Sequence, residues 1–224
     1  MATVPRLWEA IYLGFQDALS KMPPVRRSLI SKALSNSCKF KSSFRKARGL
    51  WLSQTSYPSR LIAFFCAAFR WPLHYLSSLL LWPKVVDKLS GGKLLYPING
   101  GGAIAPHVDS FFEGVGIELL VGYGLTETSP VVSCRRPWRN LRGSSGPPLP
   151  ETEFRVVDPL SGEPMMFRQQ GRVLIRGPQV MNGYLRKPEA TLKVLDADGW
   201  FDTGDLGMLL PDGDLVLTGR EKDT

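Results

Sequence analysis

The stretch YGLTETSP, residues 123–130, combines residue types that suit nucleotide chemistry. Gly124 lets the backbone approach a ligand closely, and Tyr123 offers a flat ring for stacking. Thr126 supplies a hydroxyl, and Glu127 supplies a hard oxygen of the kind that Mg²⁺ prefers. The pattern predicts a strand that runs into a tight loop suited to a nucleotide with a metal ion on its phosphates. Taken alone, it fits an ordinary strand exit equally well.

The elements just before this stretch are expected to position it. Residues 93–98, KLLYPI, predict a short strand, which runs into three consecutive glycines at 100–102. Pro106 suits the first turn of a helix that should run to about Gly114, and residues 117–121 predict the next strand. Strand, helix and strand in this order predict a βαβ unit with parallel strands. Because ligands bind at the carboxyl ends of such strands, the glycines and the YGLTETSP loop are expected at one edge of the sheet.

The first part of the chain reads as helical. Residues 7–20 show amphipathic helical spacing, and residues 26–51 form a second, basic helical region. Residues 61–89 are the most hydrophobic part, with two short helices expected to break at Pro72 and Pro83. The basic helix fits a solvated surface, an anionic membrane or an acidic partner. The hydrophobic segment fits plain core, the lining of an apolar tunnel or a membrane interface.

From about Arg142 onward the pattern is mainly β. Strands are predicted at 153–158 and 171–176, and a hairpin over residues 208–217 turns at an Asp-Gly pair. A short helix should begin at Pro188.

Composition and charge limit the classes of function. With 224 residues, 43% hydrophobic and 21% charged, the chain reads as a soluble globular protein of one or two domains. Its 3 cysteines are far apart, which argues against a disulfide framework or a zinc site. No apolar run reaches the roughly 20 residues of a membrane span. Residues 1–100 carry 15 Lys/Arg against 3 Asp/Glu, a net charge of +12, whereas residues 101–224 carry 13 against 17, a net charge of −4. This asymmetry argues against a uniform nucleic-acid surface, and we expect no nucleic-acid partner.

Five motifs occur in order along the chain: GGGAIAP, YGLTETSP, VMNGYLRKPEAT, GWFDTGDLG and LTGREKD. Together they resemble those of the adenylate-forming ligase superfamily. The opening ATVPRLWEAIY and the hydrophobic segment are similar to long-chain fatty acyl-CoA synthetases, most of all to the acyl-ACP synthetases of cyanobacteria and plastids. The resemblance implies an α/β fold that is part of the large N-terminal domain of such an enzyme, truncated at both ends.

The resemblance also implies an organisation and a reaction. Residues 1–92 would be a mostly helical acyl-substrate segment, 93–141 the βαβ nucleotide-binding portion, 142–218 a mainly β subdomain, and 219–224 the start of a hinge to a C-terminal domain. The enzyme would activate a long-chain fatty acid with ATP and Mg²⁺ through an acyl-adenylate. A thiol, from coenzyme A or from the phosphopantetheine of acyl carrier protein, would then accept the acyl group.

Particular residues acquire roles from their motif positions. Glu127 would hold Mg²⁺, Thr126 would hydrogen-bond a phosphate, and Tyr123 would stack on adenine. The backbone near the nucleotide would be supplied by four small residues: Gly101, Gly102, Ala103 and Gly124.

The last two motifs add the ribose side of the site. Asp205 would accept hydrogen bonds from the ribose hydroxyls, although an aspartate at this point could also stabilise a turn. Arg220 would reach the ribose or the α-phosphate, for which its fixed guanidinium fork is suited. Lys222 would be the hinge residue.

Two features of the superfamily are not found in the sequence. They are the Ser/Thr/Gly-rich phosphate loop and the C-terminal domain with its lysine, which would follow Thr224. Since charge neutralisation is usually the largest catalytic contribution, we expect little or no activity from this chain alone.

The alternative function is a nucleotide-binding, membrane-binding or partner-binding module without catalysis. Basic residues 26–48 are a candidate contact for acyl carrier protein, and residues 26–89 for peripheral membrane binding. The expected location is the cytoplasm, or the plastid in a plant.

Overall fold

A computed structural model describes residues 2–92 and 94–223, which form two compact units. The first unit contains the residues up to Leu120 together with Pro137–Arg142, and the second contains Val121–Arg136 and the residues from Gly143 onward. Lys93, the expected start of a strand, lies outside the described residues. The functional division at residues 92, 141 and 218 remains a prediction.

Helices dominate the first unit. They are α1 (Pro5–Ser20), α2 (Pro24–Ala47), α3 (Tyr57–Leu80), α4 (Trp82–Ser90) and α5 (Pro106–Val115). Each has a proline in its first turn, where the missing N–H would have no helical partner anyway. The first unit also contains two short strands, β1 (Ala2–Thr3) and β2 (Ile98–Asn99), which pair in parallel.

The core of the first unit forms around α5. Phe112 and Val108 are fully buried there, and the Trp8 ring of α1 meets Phe112 edge to face with centroids 5.0 Å apart. The Trp8 indole N–H donates to the Thr3 hydroxyl oxygen at 2.6 Å, and the Thr3 hydroxyl donates to the Ile98 carbonyl at 3.0 Å. These contacts fasten α1 to both strands.

A group of buried charges lies beside this core, on the neighbouring face of α5. Arg45 of α2 and Arg142 each lie 3.1 Å from Glu113 Oε2. Arg142 also pairs with the Asp109 carboxylate and donates to the Asp109 carbonyl at 2.6 Å. Two arginines therefore pair with two carboxylates, and pairing of this kind is the condition under which buried charges are tolerated.

The break predicted at Pro72 is wrong, because α3 continues through this proline and ends at Leu80. Packing against α2 explains the continuity. Asn36 of α2 donates to the Arg70 carbonyl at 3.1 Å, and Ser37 is hydrogen-bonded to His74 at 2.9 Å. These contacts on both sides of Pro72 offset the one helical hydrogen bond that a proline removes. The helices separate instead at Leu81, one residue before α4.

The second unit is mainly β, as predicted. Strands β3 (Leu120–Gly124, its first residue in the first unit) and β4 (Val131–Cys134) pair antiparallel. Strands β5 (Glu153–Val157), β6 (Gly171–Arg176), β7 (Phe201–Leu209) and β8 (Leu215–Arg220) form an antiparallel meander. The short helix α6 (Pro188–Leu192) lies between β6 and β7. The core of the second unit contains Val132, Val156, Val173, Ile175 and Leu215.

Two strand predictions are displaced by a few residues. The strand expected at 93–98 is β2 at Ile98–Asn99, and the one expected at 117–121 is β3, which begins at Leu120. The Ile117 amide closes the end of α5 by donating to the Phe112 carbonyl at 2.8 Å, so it is not available to a strand ladder. The first residues of the apolar run 117–121 are buried against α5, and the last ones are buried in β3. The hydrophobic pattern of the sequence does not distinguish these two kinds of burial.

Candidate nucleotide site

Three of the predicted site residues meet in the second unit. The Tyr123 hydroxyl, near the end of β3, donates to Asp205 Oδ2 at 2.5 Å. Arg220 Nε lies 3.0 Å from Asp205 Oδ1, because residues 205 and 220 are directly paired between β7 and β8. Asp205 is only 5% exposed, whereas the Arg220 side chain is 64% exposed. The motifs GWFDTGDLG and LTGREKD thus meet because β7 and β8 pair Asp205 with Arg220. The motif YGLTETSP contacts them through the hydrogen bond from Tyr123 to Asp205.

The protonation of Tyr123 favours this arrangement. Burial raises the pKa of the Tyr123 phenol well above its usual range, and its hydrogen bond to the Asp205 carboxylate raises the pKa further. The phenol therefore stays a donor at ordinary pH. The Asp205 backbone is fixed as well, since its N–H donates to the Thr203 hydroxyl oxygen at 3.0 Å.

Glu127 lies in a single turn of 3-10 helix, Thr126–Thr128, directly after β3. Thr128 anchors this turn: it is fully buried, and its hydroxyl oxygen accepts the Leu125 N–H at 3.0 Å and contacts the Pro130 carbonyl at 2.7 Å. Thr126, the predicted phosphate ligand, is exposed. Sequence reasoning passed over Thr128, although a second threonine at this spacing is typical of a capped turn.

Gly124 has a structural reason to be glycine. A side chain at this position would collide with the Pro130 carbonyl group, where the chain turns back into β4. The close approach that the sequence predicted therefore involves the chain itself, and a role for Gly124 beside a nucleotide remains a prediction.

A residue without a predicted role, Tyr184, contacts the expected metal ligand. Its hydroxyl donates to Glu127 Oε1 at 2.9 Å. This hydrogen bond is the main reason that the pKa of the Tyr184 phenol is raised. Tyr184 belongs to the motif VMNGYLRKPEAT. The motif could therefore be recognised in the sequence, but the sequence did not indicate that its tyrosine contacts Glu127.

The remaining predicted residues lie elsewhere. Gly101, Gly102 and Ala103 belong to the first unit and are exposed between β2 and α5. Gly101 has a positive φ of 74°, which favours glycine. Lys222 is exposed in a short 3-10 turn, Glu221–Asp223. Their roles at the adenine and at the hinge remain predictions.

The second unit offers one carboxylate that suits a metal ion on a nucleotide. Among residues 2–92 and 94–223 there is no group of three or more His, Cys, Asp or Glu side chains that could hold a metal by itself. Glu127 Oε2 accepts no hydrogen bond and forms no ion pair within the described part of the chain. Mg²⁺ commonly binds through one or two carboxylates together with substrate phosphates. A single glutamate fits that pattern.

Comparison with known proteins identifies the family. Residues 1–185 match the family described as AMP-binding enzyme. The chain belongs to this family. It is 39% identical over its full length to a probable acyl-activating enzyme 16, chloroplastic, of Arabidopsis thaliana. It is 37% identical, again over its full length, to the long-chain-fatty-acid–[acyl-carrier-protein] ligase AEE15, chloroplastic, of the same plant.

The chain spans 33% of the length of each of these two relatives. Among solved structures, ATP-bound MatB from Rhodopseudomonas palustris is similar, with a TM-score of 0.57 and 30% identity over 68% of this chain and 30% of that one. The α/β fold class and the resemblance to adenylate-forming ligases are therefore confirmed at the level of the family and its fold.

Proposed function

We propose that this chain carries the nucleoside half of an ATP site, together with the metal-binding glutamate beside it, in an AMP-forming long-chain fatty acid ligase. In this reaction the fatty carboxylate attacks the α-phosphate of ATP and pyrophosphate leaves. A thiol then attacks the acyl carbon of the acyl-adenylate and AMP leaves. The observation that carries the proposal is the convergence of Tyr123, Asp205 and Arg220 from three motifs.

Each of these three residues has a distinct task in the proposed site. The Tyr123 ring, held at its hydroxyl by Asp205, offers a fixed face on which adenine stacks. Each carboxylate oxygen of Asp205 has two lone pairs, so both can accept a ribose hydroxyl besides their present partners. The exposed guanidinium of Arg220 is long enough to turn from Asp205 toward the ribose or the α-phosphate.

Glu127 and Thr126 would complete the phosphate side. Glu127 would hold Mg²⁺ through Oε2, and Thr126 would donate its hydroxyl to a phosphate oxygen. The bound cation would supply charge neutralisation for the departing pyrophosphate. Gly101, Gly102 and Ala103 would line the adenine, and Lys222 would serve as the hinge.

The acceptor in this proposal is the phosphopantetheine thiol of acyl carrier protein or the thiol of coenzyme A. A relative named as an acyl-carrier-protein ligase favours the former, and such relatives favour a plastid location if the organism is a plant.

The predicted basic contact surface does not include Arg45, because its side chain is buried against Glu113. Lys32 and Lys39 of α2 are exposed. We expect the double variant Lys32→Glu with Lys39→Glu to slow transfer of the acyl group to carrier protein. The control is Lys84→Glu with Lys88→Glu on α4, which should not change the rate. Equal transfer rates for the two double variants would exclude this surface as the contact.

Asp205 provides the direct test of the proposed function. In the full-length protein that contains this chain, we expect Asp205→Ala to weaken ATP·Mg²⁺ binding at least about tenfold, since it removes charged hydrogen bonds. Isothermal titration and fatty-acid-dependent pyrophosphate exchange would measure the loss, with Asp198→Ala as the control. Equal binding by wild type and Asp205→Ala would remove this residue from the site. Nucleotide binding without exchange in the full-length wild type would support the non-catalytic alternative.

A second candidate function, contact with an anionic membrane, is favoured by α3. No helix among the described residues is both long and apolar enough to cross a bilayer. Large apolar side chains are nevertheless exposed along α3, including Ile62, Phe64, Phe65, Phe69, Trp71 and Leu80. Exposed apolar area of this kind, close to basic residues in sequence, suits an anionic interface. Sedimentation with phosphatidylglycerol vesicles should fall for Phe65→Ser with Phe69→Ser but not for Phe167→Ser in the second unit; unchanged sedimentation would exclude this face.

A further inference from the structure

The segment that follows β6 holds Glu127 at two points. The Tyr184 hydroxyl donates to Glu127 Oε1 at 2.9 Å, and the Met181 N–H donates to the Glu127 carbonyl oxygen at 2.8 Å. Both donors lie within four consecutive residues of the chain. The side chain and the backbone of the glutamate are therefore fixed by the same short segment.

This segment is itself fastened by Thr191 of α6. The Thr191 hydroxyl oxygen accepts the Tyr184 N–H at 2.9 Å, and the hydroxyl donates to the Lys187 carbonyl at 3.0 Å. Gly183 permits this clasp, because it has a φ of 146° and an added Cβ would lie 2.9 Å from Thr191 Cγ2. The spacing of glycine, tyrosine and threonine in NGYLRKPEAT thus has a geometric reason.

The two oxygens of the Glu127 carboxylate have different surroundings. Oε1 is occupied by the tyrosine hydroxyl, whereas no hydrogen bond or ion pair from the described residues reaches Oε2. A carboxylate with one oxygen held by a neutral donor has a restricted orientation. Groups that orient a metal ligand in this way commonly tune metal affinity.

We propose that Tyr184 is a positioning residue that orients Glu127 for the metal ion of the nucleotide, and that Thr191 supports Tyr184 in this task. Tyr184 does not touch the metal or the reacting atoms. It holds Oε1, so that Oε2 is left to the cation and less orientational freedom is lost when the cation binds. The inference rests on the proposed function in one respect, the role of Glu127 as metal ligand.

The test measures metal binding rather than turnover. Mn²⁺ binding to the full-length protein is followed by electron paramagnetic resonance in the presence of α,β-methylene-ATP. We expect Tyr184→Phe, which keeps the ring and removes only the hydroxyl, to weaken Mn²⁺ binding about tenfold. Thr191→Val should act in the same direction with a smaller effect, and Thr191→Ser should retain the affinity of the wild type. Tyr57→Phe, at an exposed tyrosine of α3, is the matched control.

A second measurement separates positioning from simple loss of structure. Adenosine binding, which by proposal depends on Tyr123, Asp205 and Arg220, should be unchanged in Tyr184→Phe. Unchanged or tighter Mn²⁺ binding in Tyr184→Phe would overturn the inference, and so would an equal loss of adenosine and Mn²⁺ binding. If Tyr184→Phe does not fold, Thr191→Val against Thr191→Ser decides by the same criteria. Unchanged Mn²⁺ binding in Glu127→Gln would instead refute the metal role of Glu127, which is a failure of the proposed function.

Discussion

The two units use charged side chains in opposite ways. In the first unit, Arg45 and Arg142 face Asp109 and Glu113 in a closed group whose side chains are at most 13% exposed. In the second unit, Asp205 is equally buried, but its partner Arg220 is 64% exposed. The acceptors of the first group face buried arginines, whereas the acceptor of the second pair faces an arginine whose side chain is largely exposed.

This difference separates structural charges from charges available for chemistry. A buried group with balanced charges gains nothing from a ligand and loses much if one member is removed. The guanidinium of Arg220 is largely exposed, so water screens its ion pair more than the fully buried pairs of the first unit, and we expect it to reorient toward an incoming phosphate. Charge alone in the sequence does not distinguish these two roles, and the following predictions test the distinction from the largest expected effect to the smallest.

Removal of a cation from the closed group should have the largest effect. We expect Arg142→Met to lower the free energy of unfolding by about 3–5 kcal/mol, because Asp109 and Glu113 would be left as buried anions with one cation between them. Urea unfolding of the first unit, followed by tryptophan fluorescence, measures this loss. Arg26→Met, at an exposed arginine of α2, is the control, and a loss equal to that of the control would show that the group is not structural.

The stability of the first unit should also depend on pH through His74. Burial, and to a smaller extent Lys41, lowers the pKa of His74 from 6.5 to about 4. Above pH 6.5 the imidazole is neutral in both folded and unfolded chains. Between pH 6.5 and about 4 the unfolded chain takes up a proton that the folded chain does not, so stability falls as pH falls.

Thermal unfolding of His74→Gln and wild type across this range isolates the contribution of His74. The wild type should lose a few degrees more than the variant between pH 6.5 and 4. His107→Gln serves as the control, since His107 is exposed. Parallel curves for wild type and His74→Gln would contradict the prediction.

Removal of the largely exposed cation Arg220 should have the smallest effect on stability. We expect Arg220→Met to change the free energy of unfolding by no more than about 1 kcal/mol, while ATP binding to the full-length protein weakens. Comparison with Arg142→Met by the same urea titration completes the contrast. A stability loss as large as that of Arg142→Met would place Arg220 among the structural charges.

The sequence predicted the local elements better than the contacts between them. The strand β6 has the predicted limits, and the hairpin of β7 and β8 turns where Asp212 and Gly213 indicated, because turn residues and alternation act over a few neighbours. Pro72 misled the prediction, since the packing of α3 on α2 outweighs a local breaker. The start of β3 was misplaced because burial against α5 and burial in a strand look alike in one apolar run.

The sequence by itself determined which residue types are available for nucleotide chemistry, and the order of its motifs determined the family. Only the tertiary structure decided which charges are structural, such as Arg45, which is buried in an ion pair with Glu113. It also decided that Tyr184 hydrogen-bonds Glu127, 57 residues away along the chain. It also decided that Asp205 meets Tyr123 and Arg220 together. The physical reason is that a side chain's type is local, whereas its burial and its partners depend on strand register and helix packing between distant segments.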